Sequence, residues 1–175
     1  ARDVAAGQLY NDIFWFDQLG CGSPRAICWL GLPGNDSEDL YRRLDALALK
    51  KAYLVETGTA LAKFSHMNER LASAQANKGT RFSNRLSVLE TQIVPALLDN
   101  IQGAGMLYDV IVSDVSQISP LLNRHTQTVT HLGLSEQELS ALVDVMVRHG
   151  GYRLVPIGEA LSFADVWDGV DLLSH

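Results

Sequence analysis

Cysteine, long apolar runs and positive charge are what this chain has least of. Cys21 and Cys28 are the only cysteines in 175 residues. A single bridge between them is conceivable, but two buried thiols are the simpler expectation. A zinc site would want more Cys or His close by than this segment holds. No window approaches the ~18 uninterrupted apolar residues that a membrane span needs. Residues 1–20 lack the basic start and apolar centre of a secretory signal. The compartment stays undecided, with a lean to the cytoplasm. Lys and Arg number 14 against 20 Asp and Glu, a net charge of −6. That balance argues against a broad electrostatic grip on nucleic acid. The local basic stretch Lys78, Arg81 and Arg85 is expected to be a solvated loop. Neither a P-loop nor a Gly-x-Ser-x-Gly elbow occurs.

Hydrophobic residues make up 47% of the chain and charged residues 19%, the balance of an ordinary globular protein. The length suits one domain over residues 1–175 with a substantial core. Val4, Leu9, Ile13, Phe16 and Leu19 recur at helical spacing over 3–19. Ala26–Leu32 reads as a strand bounded by Pro24 and Pro33-Gly34. Asn35 with Glu38 predicts a capped helix through about Lys50, and Ala52–Val55 a short second strand. Two helical patterns follow, Leu61 to Leu71 and Leu86 to Leu97, with Pro95 set to kink the second. Tyr108–Val112 is apolar on both faces, as in a strand covered on both sides. The stretch from Ile118 to Leu132 is ambiguous. Ser135 and Glu138 form a capping box for a helix closed by Gly150-Gly151. A strand over 152–157 and a helix over 159–173 complete the pattern. The expected fold is α/β, a mostly parallel sheet flanked by helices with a long helical middle. An all-α bundle is the alternative.

In such sheets ligands bind beyond the carboxyl ends of the strands. Three strand ends therefore matter. Gly31 and Gly34 let backbone approach a ligand, and Asn35 opens the helix whose N-terminus faces it. Glu56, about twenty-five residues on from the first strand end, is placed to accept ribose hydroxyls. Asp114 closes the strand that begins at Tyr108. In this order the motifs resemble those of Rossmann-like S-adenosylmethionine-dependent methyltransferases. WLGLPGN is similar to a degenerate first glycine loop, YDVIVSD to the fourth-strand motif, and RHGGYRLV to the Gly-Gly turn into the fifth strand. The resemblance implies S-adenosylmethionine as cofactor, with Gly31, Gly34, Asn35 and Glu56 around it and Asp114 facing the methyl acceptor. The acidic residue usually ahead of the first glycines is missing, no third strand is obvious between Thr59 and Gly103, and the closing hairpin is absent.

A second resemblance runs through Leu40–Val55 and Leu139–Leu161, which are similar to helix–strand segments of metal-dependent polysaccharide deacetylases. Their metal-binding Asp pair has no counterpart at Leu30-Gly31-Leu32, and Ser65-His66 matches only part of the His pair, so an active deacetylase is not expected. His125 and His131 do not share a helix face. His66 and Glu69 do, but two groups make no metal site. Trp15, Trp29 and Trp167 read as core or interface residues. From another class comes the reading of a non-enzymatic interaction domain, with the helical segment 59–101 as its contact surface.

Overall fold

The computed structural model describes residues 2–94, 97–99, 102–123, 126–149, 153–162, 166–167 and 170–171. It is an α/β protein with mostly parallel strands. Helix α1 covers Arg2–Phe14, strand β1 Ala26–Leu30, α2 Asp36–Lys50 and α3 Thr57–Ala72. Strands β2 (Lys78–Arg81), β3 (Ser87–Glu90) and β4 (Met106–Val112) follow, then a 3-10 segment over Val115–Leu121. Strand β5 (Thr128–His131), helix α4 (Glu136–His149) and β6 (Arg153–Pro156) come next. The short strands β7 (Val166–Trp167) and β8 (Val170–Asp171) complete the order.

The main sheet runs β1-β4-β3-β2, with β4 parallel to both β1 and β3 and β2 antiparallel to β3. Strands β5 and β6 form a separate parallel pair, and β7 with β8 an antiparallel one. Alternation sends Ile27, Trp29, Leu107 and Val88 to one face. There they meet Leu9, Ile13 and Phe14 of α1 and Tyr41, Leu44 and Ala48 of α2. Ala26, Leu30, Tyr108, Val110 and Leu89 turn to the other face, against Met67 of α3 and Leu121 of the 3-10 segment. Helices on both faces explain why β4 is buried along nearly its whole length and reads as an unbroken apolar run.

Buried polar groups fix the connections. Gln18 donates to the carbonyls of Pro24 and Met106, and its Oε1 accepts from the amides of Gly105 and Met106. Asp12, wholly buried, accepts from the amides of Gly158 at 2.7 Å and Ala160 at 3.0 Å. Lys63, 2% exposed, donates to the carbonyls of Asn84, Arg85 and Ala104. Burial, with Arg81 adding, pushes its pKa down to about 8. Gly105 sits at φ +77°, and a Cβ there would lie 2.0 Å from the Arg85 carbonyl oxygen. No side chain fits that crossing.

Several expectations need correction. Residues 52–55 are not a strand: Ala52 has φ +54° and its amide bonds Leu49, so this is the unwinding end of α2, with Leu54 left 86% exposed. The second half of the helical middle is sheet. Leu86, Val88 and Leu89 are all buried around β3, and a short run apolar on every side carries no period to separate strand from helix. The basic stretch 78–85 is the β2–β3 hairpin and its turn. Strand β6 pairs with β5 and stands outside the main sheet. Helix α1 stops at Phe14, short of the expected 19, and short strands lie where the last helix was expected. Asn35 makes no side-chain cap bond, whereas Ser135 and Glu138 form the full reciprocal box. Cys21 and Cys28 are free and reach the surface, yet the walls around Cys28, with the charge of Asp109, push its thiol up to about 12. Pro95, His125 and Gly150-Gly151 lie outside the described residues.

Candidate functional site

Strand β4 carries one charged side chain among its apolar ones. Asp109 points to the α2 face and lies level with Glu90 on β3, whose partner on β2 is Lys78. A carboxylate inside a covered strand must find partners or hold its proton. Trp29 on β1 donates its indole N–H to Asp109 Oδ1 at 2.5 Å. The Tyr41 hydroxyl of α2, also buried, is close enough to interact electrostatically with this carboxyl, but makes no hydrogen bond of good geometry among the described residues. Burial pushes the Asp109 carboxyl up to about 6, and nearby Glu90 adds to the rise. Trp29, Tyr41 and Lys78 pull the other way. Tyr41 itself is raised well above its usual range, first by burial and then by the charge of Asp109.

Asp109, Glu90, Lys78 and Tyr41 line a cleft of about 1000 Å³. Leu32–Gly34 after β1, Glu90–Gln92 at the end of β3 and Val112 at the end of β4 put it at the carboxyl ends of the parallel strands. Ser37 and Glu38 of α2 form one wall, and Lys78 and Thr80 of β2 another. Lys78 bonds Glu90 at 2.7 Å, which raises its pKa, and the charges of Glu38 and Asp109 act on it too. The first turn of α2 holds Asp36, Glu38 and Asp39. Negative charge there opposes the anion binding that a bare helix N-terminus offers.

The chemistry follows from this arrangement. Asp109 can take up or release a proton near neutrality, a property expected of a general acid or base. Glu90 keeps an oxygen for a hydroxyl or an ammonium group beyond its bond to Lys78. Among the described residues no group of His, Cys, Asp and Glu is arranged to hold a metal ion.

The residues singled out from sequence are dispersed. Gly34 lines the cleft, at φ +56° with open space where a Cβ would stand. Gly31, at φ +83°, donates its amide to Val112 and serves the turn after β1. Asn35 sits at the N-cap position of α2 and Glu56 at that of α3; neither lines the cleft. Glu56 follows the end of α2 and not a strand, so its expected place at a strand tip does not exist. Asp114 is exposed and caps the 3-10 segment, accepting from the Ser116 amide at 2.7 Å, a bond that lowers its pKa. Asp109, Glu90, Lys78 and Tyr41 were missed. The available signal was an acid inside a covered apolar strand, a place charged residues seldom occupy without a partner.

No family model and no curated protein matches the chain.

Proposed function

We propose that the chain is a ligand-binding α/β domain whose site is the cleft over Asp109. The favoured ligand is a nucleoside-type molecule bearing hydroxyls and positive charge, of which S-adenosylmethionine is the type. The observation that carries the reading is Asp109 itself. A carboxyl buried in a central strand, raised to about 6 and opening on a cleft, is costly to a fold and useful to a site. The lining supports the ligand class. Glu38, Glu90 and Asp109 suit hydroxyls, an ammonium or a sulfonium. Lys78 is already paired with Glu90, and the acidic start of α2 disfavours a phosphate. The orphaned Tyr41 hydroxyl and the open backbone at Gly34 add a donor and room. Methyl transfer, on this reading, is governed by in-line positioning over the carboxylates.

Isothermal titration with S-adenosylmethionine and with its demethylated product tests the proposal. The charged cofactor is expected to bind more tightly than the product, and Asp109→Asn to weaken it by ~1–3 kcal/mol, the cost of unpairing buried polar groups. No heat with either compound, or equal binding to the Asn variant, overturns it.

A protein-interaction domain is the second reading. Leu61 and Phe64 on the outer face of α3 are 61% and 47% exposed, with Leu54 just before the helix. Apolar side chains clustered so on a surface mark contact sites.

A further inference from the structure

No Lys or Arg among the described residues makes an ion pair with Asp109. Across the main sheet the register sets Lys78 of β2 opposite Glu90 of β3, and Glu90 opposite Asp109 of β4. On the far side of Asp109 the register partner is Ile27 of β1. The row holds two acids and one base, and the base is taken. Lys78 bonds Glu90 at 2.7 Å, where both side chains are exposed, and reaches the buried Asp109 only through its field. The other elements around Asp109 bring no positive charge to it. Strand β1 offers the Trp29 indole N–H and the Cys28 thiol, and α2 the Tyr41 hydroxyl. Burial, with the charge of Asp109, keeps the protons of Cys28 and Tyr41 in place. Glu38 of α2 also faces the cleft and is paired with Arg42.

A buried carboxyl so placed has two neutral arrangements, one protonated and one ionised beside a cation. The cleft makes the second reachable from outside, because Asp109 and Glu90 lie in its lining together. The walls restrict the cation. Leu32, Pro33, Phe82 and Ile111 border the same space. An inorganic ion would leave its water against such walls, and among the described residues no group is arranged to hold a metal. An organic cation sets its charge on the acids and its carbon on the apolar side chains. Aromatic rings such as those of Tyr41 and Phe82 favour an onium group.

We infer that Asp109 exchanges its proton for the positive charge of the ligand, so that the cleft takes up an ammonium or sulfonium group as that proton leaves. Such exchange rests on this cleft being a ligand site, and it adds the group that selects the ligand's charge and the pH range of binding. The ligand brings one positive charge, the carboxyl O–H bond breaks, and the proton passes to solvent. The charge inside the cleft does not change. Below about 6 the free carboxyl holds its proton, so cation binding must expel it and weakens as pH falls. A neutral ligand of the same shape displaces no proton.

The test follows the Asp109 carboxyl by carbon NMR, its signal assigned through its loss in Asp109→Asn. Choline is the cationic probe. The neutral probe is the dimethylbutanol that has carbon in place of choline's nitrogen, with sodium chloride added to equal ionic strength. At ten times its Kd, measured at about pH 8, choline should move the Asp109 titration from about 6 to about 5, the change produced by a ligand that excludes the proton. The alcohol and sodium chloride should leave it in place. Calorimetry of S-adenosylmethionine at about pH 5, in buffers of different ionisation enthalpy, should show proton release that Asp109→Asn lacks.

A titration that choline leaves unmoved overturns the inference, as does an equal shift with the alcohol or with sodium chloride. An Asp109 that titrates as an ordinary carboxylate in the free chain, and rises in Lys78→Gln, would make Lys78 its counter-ion and overturn it too. S-adenosylmethionine binding without proton release would end the exchange and leave the cofactor reading standing. Choline that moves Asp109 where S-adenosylmethionine gives no heat would do the reverse.

Discussion

Lys63 lies beneath α3 at the amino ends of β3 and β4, and Asp109 beneath α2 towards their carboxyl ends. Both are charged side chains in the interior, and burial is the largest influence on each, pushing Lys63 down to about 8 and Asp109 up to about 6. Their surroundings differ. Lys63 meets three backbone carbonyls and does not line the cleft, so its bonds tie the connection before β3 and the turn before β4 to one helix. Asp109 has one good donor, Trp29, an imperfectly placed Tyr41 and an opening to a cleft. A buried charge whose capacity is filled by the backbone serves architecture. One left partly unfilled and reachable from outside is suited to a ligand.

The comparison is broken most directly at Lys63. Lys63→Met strands three buried carbonyls, and urea unfolding should show a loss of about 3 kcal/mol or more. Ligand affinity of the folded fraction should not change. A loss confined to binding would move Lys63 into the functional group.

Asp109→Asn is expected to act in the opposite direction. The folded carboxyl ionises at about 6 against an ordinary 3.8, so the folded chain holds the proton more tightly. Its contribution to stability is complete below 3.8 and is lost as pH rises through 6. The Asn variant should therefore match the parent in acid and exceed it by ~1–3 kcal/mol at pH 8, while binding the ligand more weakly. Lys63 contributes a slope of the other sign: between about 8 and 10.5 the unfolded chain holds a proton that the folded one has released. Stability should rise with pH over that window and cease to do so in Lys63→Met. Thermal scans across pH read both slopes.

Trp29→Phe keeps an aromatic ring but removes the indole N–H that donates to Asp109. A loss of about 1.5 kcal/mol is expected where Asp109 is ionised, with a further rise in its pKa visible by carboxylate NMR. An unchanged titration would show that the indole bond does not tune the acid.

Asp114 should respond least. As an exposed cap it can be exchanged for Asn almost silently, and Asp114→Ala should lower the Tm only slightly. Loss of ligand binding in Asp114→Asn with the Tm unchanged would restore it as a site residue.

Elements with one dominant signal were legible in the sequence. The apolar run ending at Val112, the strand over Ala26–Leu30 and the Ser135–Glu138 box could each be read locally, because one face or one cap determines them. The β2–β3 hairpin was not legible, because Leu86, Val88 and Leu89 are buried on all sides and fit either period. For the site, Gly34 and the carboxyl-end location were anticipated. Asp109 was not, since YDVIVSD read alone makes it the start of a strand. Only the pairing with β1 and β3, which begins β4 at Met106, places it inside.

Asp12 ties the first helix to residues far along the chain, its carboxylate bonding the amides of Gly158 and Ala160 across 146 and 148 positions. Closing so long a loop carries an entropic cost that local contacts do not. During synthesis α1 can form and meet α2 early, yet Asp12 must wait, hydrated or protonated, until Gly158 and Ala160 have emerged. Completion of the core around α1 is thereby set late, and a nascent chain stalled before Gly158 would carry an acid whose burial has no compensation.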